Sequence, residues 1–110
     1  MFSITHNNLA YQGIELDTLI SLVGESEATN IVRQELVKHI KAASASELAK
    51  YDWMFIREYR MANTNSPMPV PAHILAHYDV VRHWVDQQEV LVQGLSAMHG
   101  VDYQFNVPTL

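Results

Sequence analysis

The chain contains no cysteine. Disulfides, zinc–thiolate sites and thiol nucleophiles are therefore excluded, in keeping with synthesis in a reducing cytoplasm. Basic charge is scarce: seven Lys and Arg face twelve Asp and Glu, for a formal net charge of −5 with six histidines neutral. That balance offers no general attraction to phosphate backbones, so only a local patch could serve nucleic acid. Glycine is scarce too. The four glycines stand singly at positions 13, 24, 94 and 100, so no glycine-rich phosphate loop and no Gly-x-Ser-x-Gly elbow exists. Apolar runs end after a few residues, far short of the roughly 20 that a bilayer span needs. No basic start followed by an apolar stretch marks a signal peptide. The expectation is a protein that is soluble or carried in an assembly, with no membrane partner.

The 110 residues are 48% apolar and 17% charged, which suits one globular domain over 1–110 with a single modest core. Residues 1–16 read as a β-hairpin. Phe2, Ile4 and His6 alternate with polar residues, Asn7-Asn8 supplies a tight turn, and Gly13 bends or ends the second strand. Residues 17–61 read as a helical region. Asp17 would cap a short helix stopped by Gly24, and a long helix follows with Ala28, Ile31, Val32, Leu36, His39 and Ile40 as its stripe. The "AASAS" stretch is where that helix would be interrupted if at all. From Tyr51 the alternation of large residues suits a strand, whereas Leu48, Tyr51, Phe55 and Tyr59 fit a helix. The expected break is near Asp52, with the remainder extended or irregular.

Residues 62–71 hold three of the four prolines and read as a loop, with Pro71 opening the next helix. A long helix is expected over 72–100, with Ile74, Tyr78, Val81, Val85, Val92 and Leu95 as its stripe and Gly100 as its stop. The alternating tail over 101–110 suits a strand or an extended docking arm. The predicted class is α+β, mostly α: an N-terminal β-hairpin, two long helices joined by a Pro-rich loop, and an extended C-terminal tail.

Chemistry-bearing constellations are few. His73 and His77 are four apart on one helix, the spacing of a metal pair, but His83 lies more than about a hundred degrees from His77 around the helix. No glutamate completes a zincin pattern. No metal site, cofactor or enzyme activity is expected, with His73 and His77 the nearest approach to a ligand pair. Arg57 and Arg60 beside Trp53 and Tyr59 could stack on bases, although Asp52 and Glu58 sit among them and argue against nucleic acid. Two Trp, five Tyr and three Phe exceed the needs of so small a core. Aromatic groups dominate interface energetics, so Tyr51, Trp53, Phe55 and Tyr59 are the expected partner anchor, with Tyr103 and Phe105 as a second arm. Simple core packing is the competing reading for each.

The order "ELAKYDW", an irregular stretch, "PVPAHILAHYDVVRHWV" and a final helix resembles the small tail assembly chaperones of tailed bacteriophages and segments of tail-fibre-associated proteins. Leu48, Ala49, Asp52 and Trp53 match the first element; Pro69, Val70, Pro71, Ile74, Tyr78 and Arg82 match the second. The likeness covers Glu47 to Val85. The second helix lacks the family's alanine- and arginine-rich composition and the loop is longer, which leaves both a transient assembly factor and a lasting virion component open. The resemblance implies no catalysis. It implies other phage tail proteins as partners (a fibre, baseplate or tape-measure-like protein), with self-association allowed. It places the protein in the host cytoplasm during assembly, or in the virion tail. The alternative is a small helical regulator or inhibitor that binds nucleic acid or a host protein.

Overall fold

A computed structural model describes all residues, 1–110. The elements run β1 (Phe2–His6), β2 (Leu9–Ile14), α1 (Leu16–Val23), α2 (Glu25–Ala49), α3 (Asp52–Met61), α4 (Ala72–Gln93) and α5 (Ala97–Val101). The class is α+β and mostly helical, with the N-terminal hairpin in place. The chain divides into two compact units, residues 1–38 with 89–104, and residues 39–88 with 105–110.

In the first unit the hairpin closes through Asn7 and Asn8, both left-handed with φ of 51° and 66°. Asparagine tolerates that region, and two such residues make the turn whose twist suits antiparallel strands. The register pairs Ile4 with Tyr11 and Phe2 with Ile14, so β2 carries one extra residue between these pairs. Gly13, at φ 63°, is that bulge. Without it Tyr11 and Ile14 would point to opposite faces; with it Phe2, Ile4, Tyr11 and Ile14 share one half-buried face.

Helix α1 packs on β1 and α5, with Leu19 fully buried. Its N-cap is Glu15 rather than Asp17, which sits in the first turn, where a carboxylate favours the helix dipole. Gly24 ends α1 at φ 87° and its carbonyl accepts from Ala28 N–H, so one residue closes α1 and opens α2. Leu19, Ala28, Val32, Val92 and Ala97 form this unit's core. His39, expected on the α2 stripe, is exposed.

The helix expected over 72–100 is two helices. Gly94 and Leu95 donate to the carbonyls of Leu91 and Val92, tightening the last turn, and Ser96 then caps α5 by accepting from His99 N–H at 3.3 Å. Arg33 Nε donates to the freed Leu95 carbonyl at 2.8 Å. Gly100 is not a stop but the point where α5 meets α2: a Cβ there would fall on Cγ1 of Val32.

In the second unit α2 runs unbroken through "AASAS" to Ala49. Alanine is the best helix former, and Ser44 Oγ donates back to the Lys41 carbonyl instead of competing for the backbone. The break falls at Lys50-Tyr51, where Tyr51 N–H donates to the Leu48 carbonyl. The chain then turns helical again as α3, where extended or irregular backbone was expected. Asp52 in its first turn and Arg60 in its last suit the dipole, and the half-buried Met54, Phe55 and Met61 recur at helical spacing. In the Pro-rich loop Glu58 Oε2 accepts from Val70 N–H at 3.2 Å. Pro71 is the N-cap of α4 rather than its first residue, since its carbonyl accepts from Ile74 and Leu75 N–H. Ile40, Val70, Ile74 and Val81 are buried, and with them Glu47 and His77.

Candidate functional site

A buried polar pair joins the end of α2 to α4. Glu47 is 3% exposed and His77 5%, and the two meet through Glu47 Oε1 and His77 Nε2 at 3.2 Å. Tyr51 Oη donates to the same oxygen at 3.2 Å, and Lys50 Nζ to Oε2 at 2.7 Å. The Tyr51 ring stands edge-on to His77, centroids 5.5 Å apart. A buried carboxylate is tolerable only when its lone pairs are filled, and here three donors fill them. The Lys50 ammonium holds Glu47 below the ordinary carboxylate value, against the opposing pull of burial and with help from His77. Lys50 is raised in turn by its bond to Glu47, and Tyr51 is raised by burial and then by Glu47.

A second knot fixes the start of α3. Tyr78 Oη donates to the Leu48 carbonyl at 2.9 Å and to Asp52 Oδ1 at 3.0 Å, a hydroxyl hydrogen shared between two acceptors. Burial, then the Asp52 carboxylate, pushes the Tyr78 hydroxyl up to about 12. Phe55 packs edge-on to the same ring at 4.9 Å. Helix α3 is thus held along its inner face by Tyr51, Phe55 and Glu58.

Its outer face has no such attachment. Trp53 is 53% exposed, Ile56 53% and Tyr59 86%, at three-residue steps that keep them on one side of the helix. The Arg57 guanidinium lies over the Trp53 ring, 4.8 Å from its centroid, and Arg60 is exposed one helical turn along from Ile56. The two acids of α3 are engaged elsewhere, Asp52 with Tyr78 and Glu58 with Val70. No carboxylate lies within ion-pair distance of Arg57 or Arg60. An aromatic–aliphatic stripe bordered by two unneutralised arginines is chemically suited to gripping another molecule.

No family model matches the chain, and no curated protein or solved structure shows significant similarity to it.

The structure separates the predicted anchor residues. Trp53 and Tyr59 are exposed while Tyr51 and Phe55 are half-buried: Trp53 lies on the side of the helix away from Phe55, and Tyr59, one turn beyond Phe55, is exposed near the end of α3. Of the second arm, Tyr103 belongs to the first unit and Phe105 to the second. Both are half-buried, and Phe105 lies against Trp84 at 5.9 Å between centroids, so it is laid down on its own unit rather than extended from it. The tail forms no strand, and its first residue, Val101, completes α5. His77 is taken by Glu47 while His73 is exposed, and no group of three or more His, Asp or Glu side chains comes together to hold a metal. No helix is long and apolar enough to cross a membrane.

Ile56 is the site residue that alternation could not find, since it falls between the positions counted as a strand face. The signal was present in the three-residue spacing of Trp53, Ile56 and Tyr59. Glu47 carried no signal, because a helix-end glutamate next to a lysine reads as solvated.

Proposed function

We propose that the protein is a non-catalytic binding module that docks on another polypeptide through the outer face of α3, with Trp53, Ile56 and Tyr59 as its contacts. The observation that supports this is the exposure of Trp53, Ile56 and Tyr59 on a helix held to its unit through Asp52, Phe55 and Glu58. Scattered exposed apolar residues are ordinary on protein surfaces, but a contiguous aromatic stripe suits an interface. Trp, Tyr and Arg are also the residue types that carry most interface energy.

Within this reading the partner is a phage tail protein, and the module is a tail or tail-fibre assembly chaperone or a structural adaptor, acting in the host cytoplasm during assembly or in the virion. That part rests on the resemblance between Glu47 and Val85. Its Trp53 is the most exposed indole position of the matched segment, whereas its Leu48, Ile74 and Tyr78 support the scaffold. Co-expression with the products of the genes flanking its own tests the whole reading. Recovery of a stable complex with a fibre, baseplate or tape-measure-like protein is the expected result, lost in a Trp53→Ala, Tyr59→Ala double variant. A complex that survives both substitutions would move the interface elsewhere.

A further inference from the structure

We infer that the partner segment seated on α3 is an acidic amphipathic helix, with large apolar side chains against Trp53 and Ile56 and carboxylates at Arg57 and Arg60. The inference rests on the docking role just proposed and adds the partner's chemistry to it. The charges of the segment from Glu47 to Arg60 carry it. Among its acids, Glu47 is bonded to Lys50, His77 and Tyr51, Asp52 to Tyr78, and Glu58 to the Val70 backbone. Among its bases, Lys50 is neutralised by Glu47 at 2.7 Å, whereas the half-buried Arg57 has an Nε without a hydrogen-bond partner and Arg60 is exposed with no ion pair. The acids of α3 therefore face the scaffold and its arginines border the exposed stripe.

A partner that covered this stripe with apolar surface alone would bury two guanidinium groups beside it without counterions, which is unfavourable. Carboxylates at those positions remove the penalty and give forked, charge-assisted hydrogen bonds. A helix is the occupant that fits, because contacts at three- and four-residue spacing on α3 are matched by the same spacing on a facing helix. Ile56 in the centre of the stripe favours a protein over a nucleic acid: an aliphatic side chain offers neither stacking nor a phosphate contact.

The test uses the full chain and three synthetic peptides. All share leucines at alternating three- and four-residue spacing, and the flanking positions carry glutamate, glutamine or lysine. Binding is read by fluorescence anisotropy of the labelled peptide at low and high salt. The glutamate peptide is expected to bind about ten-fold more tightly than the glutamine peptide, and to lose most of that margin at high salt. Arg57→Glu with Arg60→Glu should reverse the preference in favour of the lysine peptide. Circular dichroism of that variant checks that α3 still forms.

Equal binding of all three peptides, abolished by Trp53→Ala, would overturn the acidic partner while leaving the docking face standing. Binding of none would overturn this inference, with co-expression still deciding the docking role independently. A single-stranded oligonucleotide that bound in an Arg57- and Arg60-dependent way would also overturn it, in favour of a nucleic-acid surface. So would sedimentation showing a dimer dispersed by Trp53→Ala, which would make a second copy the occupant.

Discussion

At the scale of single residues, the buried acid of the second unit carries a pH signature. The Lys50 bond and the other donors keep Glu47 below the ordinary carboxylate value of 4.5. Its contribution to stability is therefore present above that pH and lost as pH falls through the folded value. Glu47→Gln should lower stability at neutral pH by about 1–3 kcal/mol, the usual loss when a charged hydrogen-bonded group is replaced. It should also flatten the acid limb of a stability–pH profile measured by urea unfolding. An unchanged acid limb would mean that Glu47 is not held as described. Tyr78 behaves in the opposite sense. Its hydroxyl is raised from 10.0 to about 12, so its contribution is full below pH 10 and drains away between these two values. Tyr78→Phe should remove that alkaline decline and, at neutral pH, cost about 1–2 kcal/mol for the lost bonds to Leu48 and Asp52. None of this could be read from the sequence. Glu47 and His77 stand thirty positions apart, and nothing in either neighbourhood marks them as partners.

At the scale of elements, legibility followed the punctuation. Asn7-Asn8 and the proline cluster announced their turns because backbone geometry there depends on the residue itself. Gly24 announced its stop for the same reason. The break expected near Asp52 falls at Lys50-Tyr51 without glycine or proline, where Glu47, Lys50 and Tyr51 are bonded together and Tyr78 holds Asp52. The return to helix beyond it was not legible, and a second break was hidden altogether. The one after Gln93 looked like a tolerated glycine inside a continuing stripe, yet Arg33 from a distant helix takes up the Leu95 carbonyl that the break exposes. Alternation of aromatics from Tyr51 onward suggested an extended chain. The same residues satisfy helical spacing, and packing of Phe55 on Tyr78 decides for the helix. Gly100 gives the sharpest element-level prediction. Alanine would favour a helix over glycine by about 1 kcal/mol in isolation. Here its Cβ meets Val32, a buried and β-branched side chain with little room to yield, so overpacking should win. Gly100→Ala should lose about 1–2 kcal/mol net in denaturant unfolding; a stabilised variant would show that α5 does not sit against α2 as described.

For the molecule as a whole, charge is unevenly shared. The first unit holds Glu15, Asp17, Glu25, Glu27, Glu35, Glu89 and Asp102 against only Arg33 and Lys38, so it carries the entire net charge. The second unit has as many bases as acids and bears the exposed stripe of α3. A docking face on the neutral unit avoids the self-repulsion that the acidic one would bring to an acidic partner. The sequence did point to the region between Tyr51 and Tyr59, because aromatic density is visible without a fold. Which aromatics face outward depended on the helix, and the choice between anchor and core was therefore out of reach until α3 was placed.

The fold holds Trp53 and its neighbours outward without resting on them. Trp53→Ala with Ile56→Ser, measured for thermal unfolding and for partner affinity on the same preparation, tests this directly. The stripe's loss should cost no more than about 1 kcal/mol, chiefly the Arg57–Trp53 contact, so the melting temperature should move by only a few degrees while the complex disappears. A collapse of the melting transition, of the kind that follows removal of a core tryptophan, or a complex of unaltered affinity would contradict the account.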